Sequence, residues 1–111
     1  MDVNTFLLSL LHELSSLEFV EKVDLHTEVF ILKGRAILKK NRFLQIYFNE
    51  HTETTAFALI ENSKRIWGID YDNIRGWHIH PAENPKSHIN IESMTVEEIT
   101  HYLKEVWSCL P

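Results

Sequence analysis

The sequence predicts an α+β domain in which an antiparallel sheet of four or five strands is flanked by an N-terminal and a C-terminal helix. Apolar residues recur at three- and four-residue steps near both ends of the chain, which is the helical period. The middle of the chain consists of short apolar runs rich in β-branched and aromatic residues. Short polar links separate those runs, which favours antiparallel neighbours, because a parallel pair needs a crossover of about a dozen residues or more.

The composition and charge exclude several classes of protein. The chain has 111 residues, of which 44% are hydrophobic and 24% charged, as expected for one globular domain over residues 1–111. Its formal net charge of −5 argues against a basic surface over the whole molecule, although a local patch for nucleic acid remains open. Cys109 is the only cysteine, so a disulfide framework and a thiolate zinc site are both excluded within one chain.

Neither a leader peptide nor a membrane segment is indicated. The apolar run of residues 6–11 follows an acid rather than Lys or Arg, and no small-residue cleavage site comes after it. No apolar stretch approaches the roughly 20 residues that span a bilayer. We therefore expect a soluble protein of the cytoplasm without membrane contact.

Helices are expected over residues 4–17 and 95–108. In the first segment, apolar residues recur at helical spacing beside polar ones. In the second, Thr95 and Glu98 form the pattern of a capping box, in which each side chain bonds to the backbone N–H of the other residue.

The strands are expected between about residues 20 and 73. The runs with the strongest β composition are Phe43–Phe48, Thr54–Ile60 and Arg65–Asn73. Polar links that predict turns separate them. Gly34 interrupts the earlier strand-like region and is interpreted as a β-bulge. Residues 74–93 show neither period, so we expect them to be largely irregular, and such a stretch in a small domain is usually functional.

The hydrophobic core is predicted from the apolar positions of these helices and strands. We expect the following side chains to be mostly buried: Leu7, Leu11, Leu14, Ile31, Phe43, Ile46, Phe48, Phe57, Leu59, Ile69, Ile99, Leu103 and Val106.

The segment from Asp70 to His88 concentrates the residues that can carry chemistry. Three of the seven histidines of the chain lie in its last part, at His78, His80 and His88. Strand alternation places Asp70 and Asp72 on one face, and His78 and His80 share a face if their segment is extended. Imidazoles that lie close together either move protons near neutral pH or ligate transition metals.

A general acid–base site is the first chemical interpretation, and it needs no cofactor. Its catalytic residues would be His78, His80, His88, Asp70 and Asp72. The residues that would bind substrate or stabilise phosphate charge are Arg75, Lys86, Trp77 and Asn73. The ordinary alternative is that the histidines are solvated loop residues, with Asp72 and Asn73 making turn hydrogen bonds.

A metal site is the second chemical interpretation. His78, His80 and Asp70 would ligate a divalent transition metal such as zinc, with His88 as a further ligand. The His-x-His-Pro stretch that begins at His78 resembles the metal motif of JAB/MPN-type isopeptidases, but other residues occupy the positions of that motif's later Ser and Asp. A metal-dependent hydrolase or metal-binding domain therefore stays an alternative.

A basic series follows one β region and its turn, at Lys33, Arg35, Lys39, Lys40 and Arg42. The aromatic residues Phe43, Tyr47 and Trp67 lie nearby in the sequence, so the series is a candidate to hold an RNA backbone. Solvated lysines that protect an edge strand from aggregation are the more ordinary explanation.

The order of these features resembles the TumE-like toxins of prokaryotic toxin–antitoxin systems. Members of that family often begin with a short helix and run through a β-meander. An aromatic/Asp-Asn step and a segment rich in His and Pro follow, and a short helix closes the chain. The corresponding pieces here are Arg65–Asn73, Trp77–Pro81, Asn84-Pro85, His88 and Met94–Ile99. The family segment tends to run Asp-Asn-Ala-Pro-His-His-Pro, whereas here Ile74–Trp77 separates Asn73 from His78.

The resemblance implies a growth-inhibiting toxin that is partnered by a DNA-binding antitoxin and has RNA as its target. The first functional hypothesis is therefore a toxin-like ribonuclease that works without metal. A non-catalytic interaction module is another hypothesis, with an exposed Trp77 beside Ile74 and Ile79 as its anchor. A homodimer is also left open.

Convergence of the histidines on a carboxylate would have a titration signature. A carboxylate favours the imidazolium form of a neighbouring histidine. If Asp70 or Asp72 lies against them, we expect raised pKa values for His78, His80 and His88.

Overall fold

The structure, a computed structural model, describes residues 1–111 and contains two helices and seven strands. In chain order, the elements are α1 (Val3–Ser15), β1 (Val20–Glu28), β2 (Ile31–Leu38), β3 (Arg42–Asn49), β4 (Thr54–Glu61), β5 (Lys64–Asp72), β6 (Gly76–His80), β7 (Ile89–Asn90) and α2 (Val96–Cys109). All strands form one antiparallel sheet in the order β1 to β7. The predicted α+β class with flanking helices is confirmed, whereas the predicted four or five strands are too few. Neither helix has the length and apolar character that a membrane span requires.

The two additional strands lie within residues 74–93, where the sequence predicts irregular structure. β6 pairs with β5 along its whole length, and β7 extends the sheet by a short edge strand. β6 does alternate apolar Trp77 and Ile79 with polar His78 and His80, but this pattern covers only four residues between Gly76 and Pro81, which is the lower limit for recognising a strand. Residues 74–75, 81–88 and 91–93 have no helix or strand, so the prediction holds for these parts of the segment.

Two tight hairpin turns use backbone conformations with positive φ. Lys40 and Asn41 have φ angles of 62° and 58°, and Asn62 and Ser63 have φ angles of 52° and 63°. Two consecutive residues of this kind form the pattern of a type I′ turn, whose twist matches that of paired antiparallel strands. Both turns lie in polar links for which the sequence predicts turns.

The hairpin between β1 and β2 turns at Val29 and Phe30, inside a stretch that reads as strand in the sequence. Val29 has a φ of 36°, which is uncommon for a β-branched residue, and it is 84% exposed. No Gly, Asn or Pro marks this turn, which is why the sequence pattern hides it.

Gly34 keeps regular pairing with β1, so its interpretation as a β-bulge is wrong. A Cβ atom at this position would lie 2.1 Å from the carbonyl oxygen of Asp24. The close approach of the β1 backbone therefore requires glycine. The register irregularities lie instead at the beginning of β1 and where β4 meets the first residues of β5.

Both helices pack against one face of the sheet, and the core lies between them. Because side chains alternate along each strand, this helix-covered face carries the large apolar residues, and the opposite, open face is left to smaller and polar ones. Phe6 of α1 stacks on Phe48 of β3 with ring centroids 4.3 Å apart, and Phe19 stacks on Trp107 of α2 at 4.2 Å. One cluster of 20 buried hydrophobic residues joins the helices to the sheet.

Most of the predicted core is buried in the structure, namely Leu14, Ile46, Phe48, Phe57, Leu59, Ile69, Ile99 and Leu103. Leu11 is 41% exposed, because α1 turns Leu10 and Leu14 toward the sheet. Four other predicted residues are only partly buried, namely Leu7, Ile31, Phe43 and Val106. Ile31 and Phe43 are out of phase with the buried side chains of their strands and lie on the open face.

Side-chain caps begin both helices. Asp2 caps α1, where its Oδ1 accepts a 2.7 Å hydrogen bond from the Thr5 N–H. At α2, Thr95 and Glu98 each accept a hydrogen bond from the backbone N–H of the other, so the predicted capping box is confirmed. Both helices lie within two residues of their predicted bounds.

Contacts near both ends of β3 hold the terminal segments of the chain. Arg42, the first residue of β3, is 4% exposed. Its Nε donates a 2.6 Å hydrogen bond to Glu61, and its Nη2 donates one of 3.0 Å to the carbonyl oxygen of Pro111. Glu50, which directly follows β3, accepts a 2.9 Å hydrogen bond from the N–H of Val3. One strand thus anchors both terminal segments.

Replacement of Leu10 or Leu11 with alanine tests which face of α1 is buried. Leu10 is 0% exposed, so Leu10→Ala should lower the free energy of unfolding by about 2–5 kcal/mol through lost burial and the cavity that remains. Leu11→Ala removes a side chain that is 41% exposed and should lower that free energy by only about 1 kcal/mol. Chemical denaturation of the two variants measures the difference. Equal costs would show that α1 is rotated about its axis relative to this description.

Candidate functional site

The pairing of β5 with β6 builds the candidate site on the open face of the sheet. Asp70 lies directly opposite His78, and Gly68 lies opposite His80. Alternation along β6 places both histidines on this face, whereas Ile79 between them enters the core. The shared face of His78 and His80 therefore follows from strand geometry, as the sequence predicts.

The Asp70 carboxylate joins the two buried histidines. Its Oδ2 atom lies 2.9 Å from His80 Nε2, 3.3 Å from His78 Nε2 and 3.9 Å from Arg65 Nη1. His78 and His80 are only 2% and 1% exposed. A single carboxylate oxygen is thus shared by two imidazole rings and one guanidinium.

The second nitrogen of each buried ring has a different environment. His78 Nδ1 lies 3.3 Å from the carbonyl oxygen of Gly76. His80 Nδ1 is buried and has no hydrogen-bond partner. When Asp70 accepts the proton on His80 Nε2, the neutral ring carries its lone pair on Nδ1. The site therefore contains a buried lone pair that no donor of the protein satisfies.

His88 reaches the same place from the loop of residues 81–88. Its ring centroid lies 4.4 Å from that of His80 and 5.3 Å from that of His78. One ring nitrogen from each of the three histidines lies within 4.8 Å of the others. His88 is exposed, so this His/Asp cluster, formed by Asp70, His78, His80 and His88, is open to solvent on one side.

The pKa of His88 is lowered from its usual value of 6.5, opposite to the direction expected from the sequence. Desolvation is the largest cause, and positive charge on His80 and on His78 adds to it. The sequence predicts a raised pKa because a carboxylate would lie against the His88 ring. In the structure the rings of His78 and His80 lie there instead.

Asp72 lies on the open face but serves the turn between β5 and β6. Its Oδ1 accepts hydrogen bonds from the N–H groups of Ile74 at 2.9 Å and Arg75 at 2.7 Å. Its Oδ2 lies 3.4 Å from Arg75 Nε. The hydrogen bond from the Arg75 backbone is the largest cause of a lowered pKa for Asp72. Asn73 accepts a hydrogen bond from the hydroxyl of Tyr71 in β5, so Asp72 and Asn73 act in local structure.

Two residues that the sequence assigns to substrate binding, Trp77 and Lys86, have different positions. Trp77 lies on the helix-covered face, partly buried, with its ring centroid 5.3 Å from that of Tyr71. Trp77 is therefore not the exposed anchor that the interaction-module hypothesis requires. Of the apolar residues named in that hypothesis, only Ile74 is largely exposed, at 95%. Lys86 is exposed on the loop that carries His88.

A groove of about 690 Å³ lies across the open face beside the cluster. Its floor includes the small residues Gly34, Ala56 and Ala58. Its charged lining consists of Lys33, Arg35, Arg65, Arg75, Asp24, Asp70 and Asp72. The groove therefore holds more Lys and Arg than Asp and Glu, although the chain as a whole has 11 of the former and 16 of the latter.

The strand register arranges the groove as two rows perpendicular to the strands. One row consists of Lys33, Tyr47, Ala56, Asp70 and His78, and the other of Arg35, Gln45, Ala58, Gly68 and His80. Each row begins with a cation of β2 and ends with a histidine of β6. Neighbouring strands lie about 4.8 Å apart, so about 19 Å separates the two ends of a row.

The five residues of the basic series identified in the sequence lie in three different places in the structure. Lys33 and Arg35 line the groove, Lys39 and Lys40 lie in the β2–β3 turn, and Arg42 is buried on the helix-covered face. Because β2 is an interior strand, protection of a sheet edge does not explain Lys33 and Arg35.

Sequence reasoning missed Arg65, a cation of the groove. Strict alternation from the buried Trp67 would place residue 65 on the helix-covered face. A register shift at this point pairs Arg65 with Ile60 of β4 and turns it to the open face. Gly68 leaves room for its stem, since a Cβ there would lie 3.2 Å from Arg65 Cδ. That glycine within a strand was the available signal.

The lowered pKa of His88 predicts how stability depends on pH. His88 is harder to protonate in the folded protein than in the unfolded chain, so the unfolded state binds more protons below about pH 6.5. The contribution of His88 is fully present above that pH and is lost as the pH falls through the folded-state pKa. In EDTA-treated protein, His88→Gln should therefore reduce the loss of stability on acidification. Thermal unfolding of both proteins between about pH 5 and pH 8 measures this loss, and identical pH profiles would contradict the assignment.

Comparison with protein-family models, with curated proteins and with solved structures finds no match for this chain. The function of the His/Asp cluster therefore has to follow from its own contacts, burial and charge.

Proposed function

We propose that this protein is a toxin-like component of a toxin–antitoxin system that acts on RNA at its His/Asp cluster. The observation that carries the proposal is the groove, which joins the cations of β2 to Asp70 and His78 of the cluster across the open face. Cations attract a phosphate backbone. Proton-transferring or metal-binding groups, such as those at the end of the groove, are what phosphodiester cleavage requires.

The dimensions of the groove favour a single strand. A path of about 19 Å across the sheet matches a few nucleotides of an extended backbone. Tyr47 lies within the row between Lys33 and the cluster and is partly exposed, so its ring is placed for base stacking. Single-stranded nucleic acid is bound by this combination of a cationic track and aromatic faces.

The cations of the groove differ in how far they are neutralised. Arg35 has no carboxylate within 4.0 Å, and its guanidinium lies 4.7 Å from the centroid of the Phe43 ring. Arg65 and Arg75 lie 3.9 Å and 3.4 Å from carboxylates of β5, and both remain partly exposed. Arg35 is therefore the best placed to bind a distant phosphate, while Arg65 and Arg75 can contact one beside the cluster.

Burial narrows the chemistry that the cluster can perform. The acid–base hypothesis assigns proton transfer to three histidines, but His78 and His80 are at most 2% exposed. His88 is left as the imidazole that faces solvent. The two buried rings therefore act within the site, and Arg65 and Arg75 are placed to stabilise charge that develops on phosphate.

The toxin role and the DNA-binding antitoxin partner are supported by the resemblance to TumE-like toxins. The observed order of a short helix, a β-meander, the His-rich segment and a closing helix agrees with the layout of that family. We propose that the protein acts in the cytoplasm, where its RNA target and an antitoxin would meet it.

Growth and cleavage assays test this proposal. Expression of the protein alone should slow growth, and co-expression of the product of the neighbouring gene should restore it. Purified protein should cleave single-stranded RNA, and His88→Ala should lower the rate by about 10²–10⁴-fold, because the exposed imidazole of the site is lost. His101→Ala on α2, which removes an exposed histidine outside the site, should leave the rate unchanged. Equal cleavage by all three proteins would rule out the cluster as the active site.

Charge reversal in the groove tests the path of the strand. The double variant Lys33→Glu/Arg35→Glu should weaken binding of a short single-stranded RNA by on the order of tenfold or more and make the affinity less dependent on salt. Lys39→Glu/Lys40→Glu makes the same charge change in the β2–β3 turn and should have a much smaller effect. Fluorescence anisotropy at two salt concentrations measures both. Equal losses in the two variants would indicate attraction by net charge rather than binding in the groove.

A further inference from the structure

We propose that the His/Asp cluster is a metal site in which His78, His80 and His88 ligate a zinc ion and Asp70 orients His80. The inference deepens the proposed function, since it names the cofactor of the same site. The hydrolytic role of the metal rests on that function, but binding of the metal can be measured without RNA.

The first argument is the placement of the three rings. One nitrogen from each lies within 4.8 Å of the others. Zinc–nitrogen bonds of 2.0–2.1 Å in a tetrahedral site bring ligand nitrogens to about 3.4 Å from one another, so the cluster must contract by at most about 1.4 Å. His78 and His80 are fixed two residues apart on β6, and His88 lies on a loop without strand pairing. The loop can therefore supply the contraction without disturbing the sheet.

The second argument is the orientation of the buried rings. Metal-ligating histidines almost always donate their other ring N–H to a carboxylate, a carbonyl or water. Asp70 Oδ2 lies within hydrogen-bonding distance of His80 Nε2, at 2.9 Å. This contact leaves His80 Nδ1 as the nitrogen with the free lone pair, and that atom is buried without a partner. A buried acceptor without a donor is costly in a purely structural site, whereas a metal ion would satisfy it.

The composition of the ligand set indicates the metal and its role. Three imidazoles without a thiolate suit zinc, copper or nickel, and a zinc site with three protein ligands keeps a fourth position for water or substrate. The exposed side of the cluster, at His88, is where that position would open. A zinc ion there would polarise a phosphoryl oxygen and supply a hydroxide nucleophile near neutral pH. The neighbouring Arg65 and Arg75 belong to the groove that would bring the phosphate to this side.

Metal titration of the intact protein tests the inference. Protein made without a histidine tag is stripped with EDTA, titrated with Zn²⁺ by calorimetry and assayed by elemental analysis after gel filtration. We expect about one equivalent of zinc and a zinc-dependent rise in the unfolding temperature, because a ligand that binds only the folded state stabilises it.

Three variants test whether the bound zinc lies at the His/Asp cluster. His88→Ala removes an exposed ligand and should weaken zinc binding at least tenfold while the protein still folds. Asp70→Asn keeps the size of the side chain and should weaken binding by about 10–100-fold, as for other groups that orient metal ligands. His101→Ala, the matched control on α2, should bind zinc like the wild type.

Each outcome either supports or overturns the proposal. Less than about a tenth of an equivalent of zinc in the wild type, or a loss in His101→Ala equal to that in His88→Ala, would sink the metal site. Zinc uptake at the cluster without RNA cleavage would keep the metal site and reject the ribonuclease. Undiminished cleavage by metal-free protein would keep the ribonuclease and reject the hydrolytic role of the metal.

Discussion

The packing of both helices on one face of a continuous antiparallel sheet is the constraint on which this structure depends. Because side chains alternate along each strand, every second residue must enter the core and its neighbours must face outward. In β6, Trp77 and Ile79 pack toward the helices while His78 and His80 face the opposite way. One short strand thereby supplies both the edge of the core and the main part of the His/Asp cluster.

The same constraint explains which parts of the fold can be predicted from the sequence. Long amphipathic segments identify α1 and α2, and the capping box marks the start of α2. Polar links identify the turns at Lys40 and Asn62, because their residues tolerate positive φ. The turn at Val29 stays hidden, since a β-branched residue there suggests a strand and only tertiary pairing overrides that preference. Leu11 illustrates the limit for helices, because a wide apolar stripe does not specify which of its leucines points inward.

The candidate site is predictable as a set of residues but not as a geometry. The three histidines and Asp70 could be named because they are close in the sequence and in phase along two strands. The turn hydrogen bonds of Asp72 could be named as the ordinary alternative, whereas the burial of Trp77 depends on where β6 begins, which no local pattern specifies. Arg65 was missed for another reason, since a single register shift reverses the face on which its side chain lies and Gly68 is its only sign in the sequence.

The face that the helices leave uncovered is held in shape by small residues. Ala56 and Ala58 of β4 keep the centre of the groove low, and Gly68 admits the stem of Arg65. Larger side chains at these positions would fill the groove and separate the cations of β2 from the cluster. The cations can therefore act together with the cluster only because these small residues leave a groove between them.

The anchoring of both terminal segments to β3 has a practical consequence for protein engineering. Val3 and Pro111 are held at opposite ends of one strand, which spans about 27 Å at its normal rise per residue. Many domains have neighbouring termini, and a few residues suffice to close them into a ring. In this protein, a flexible Gly/Ser connection would need about 25 residues before its average end-to-end distance matched the gap. Circular permutation is thus demanding here, whereas a pair of fluorophores on the two terminal segments would report the distance between the two ends of β3.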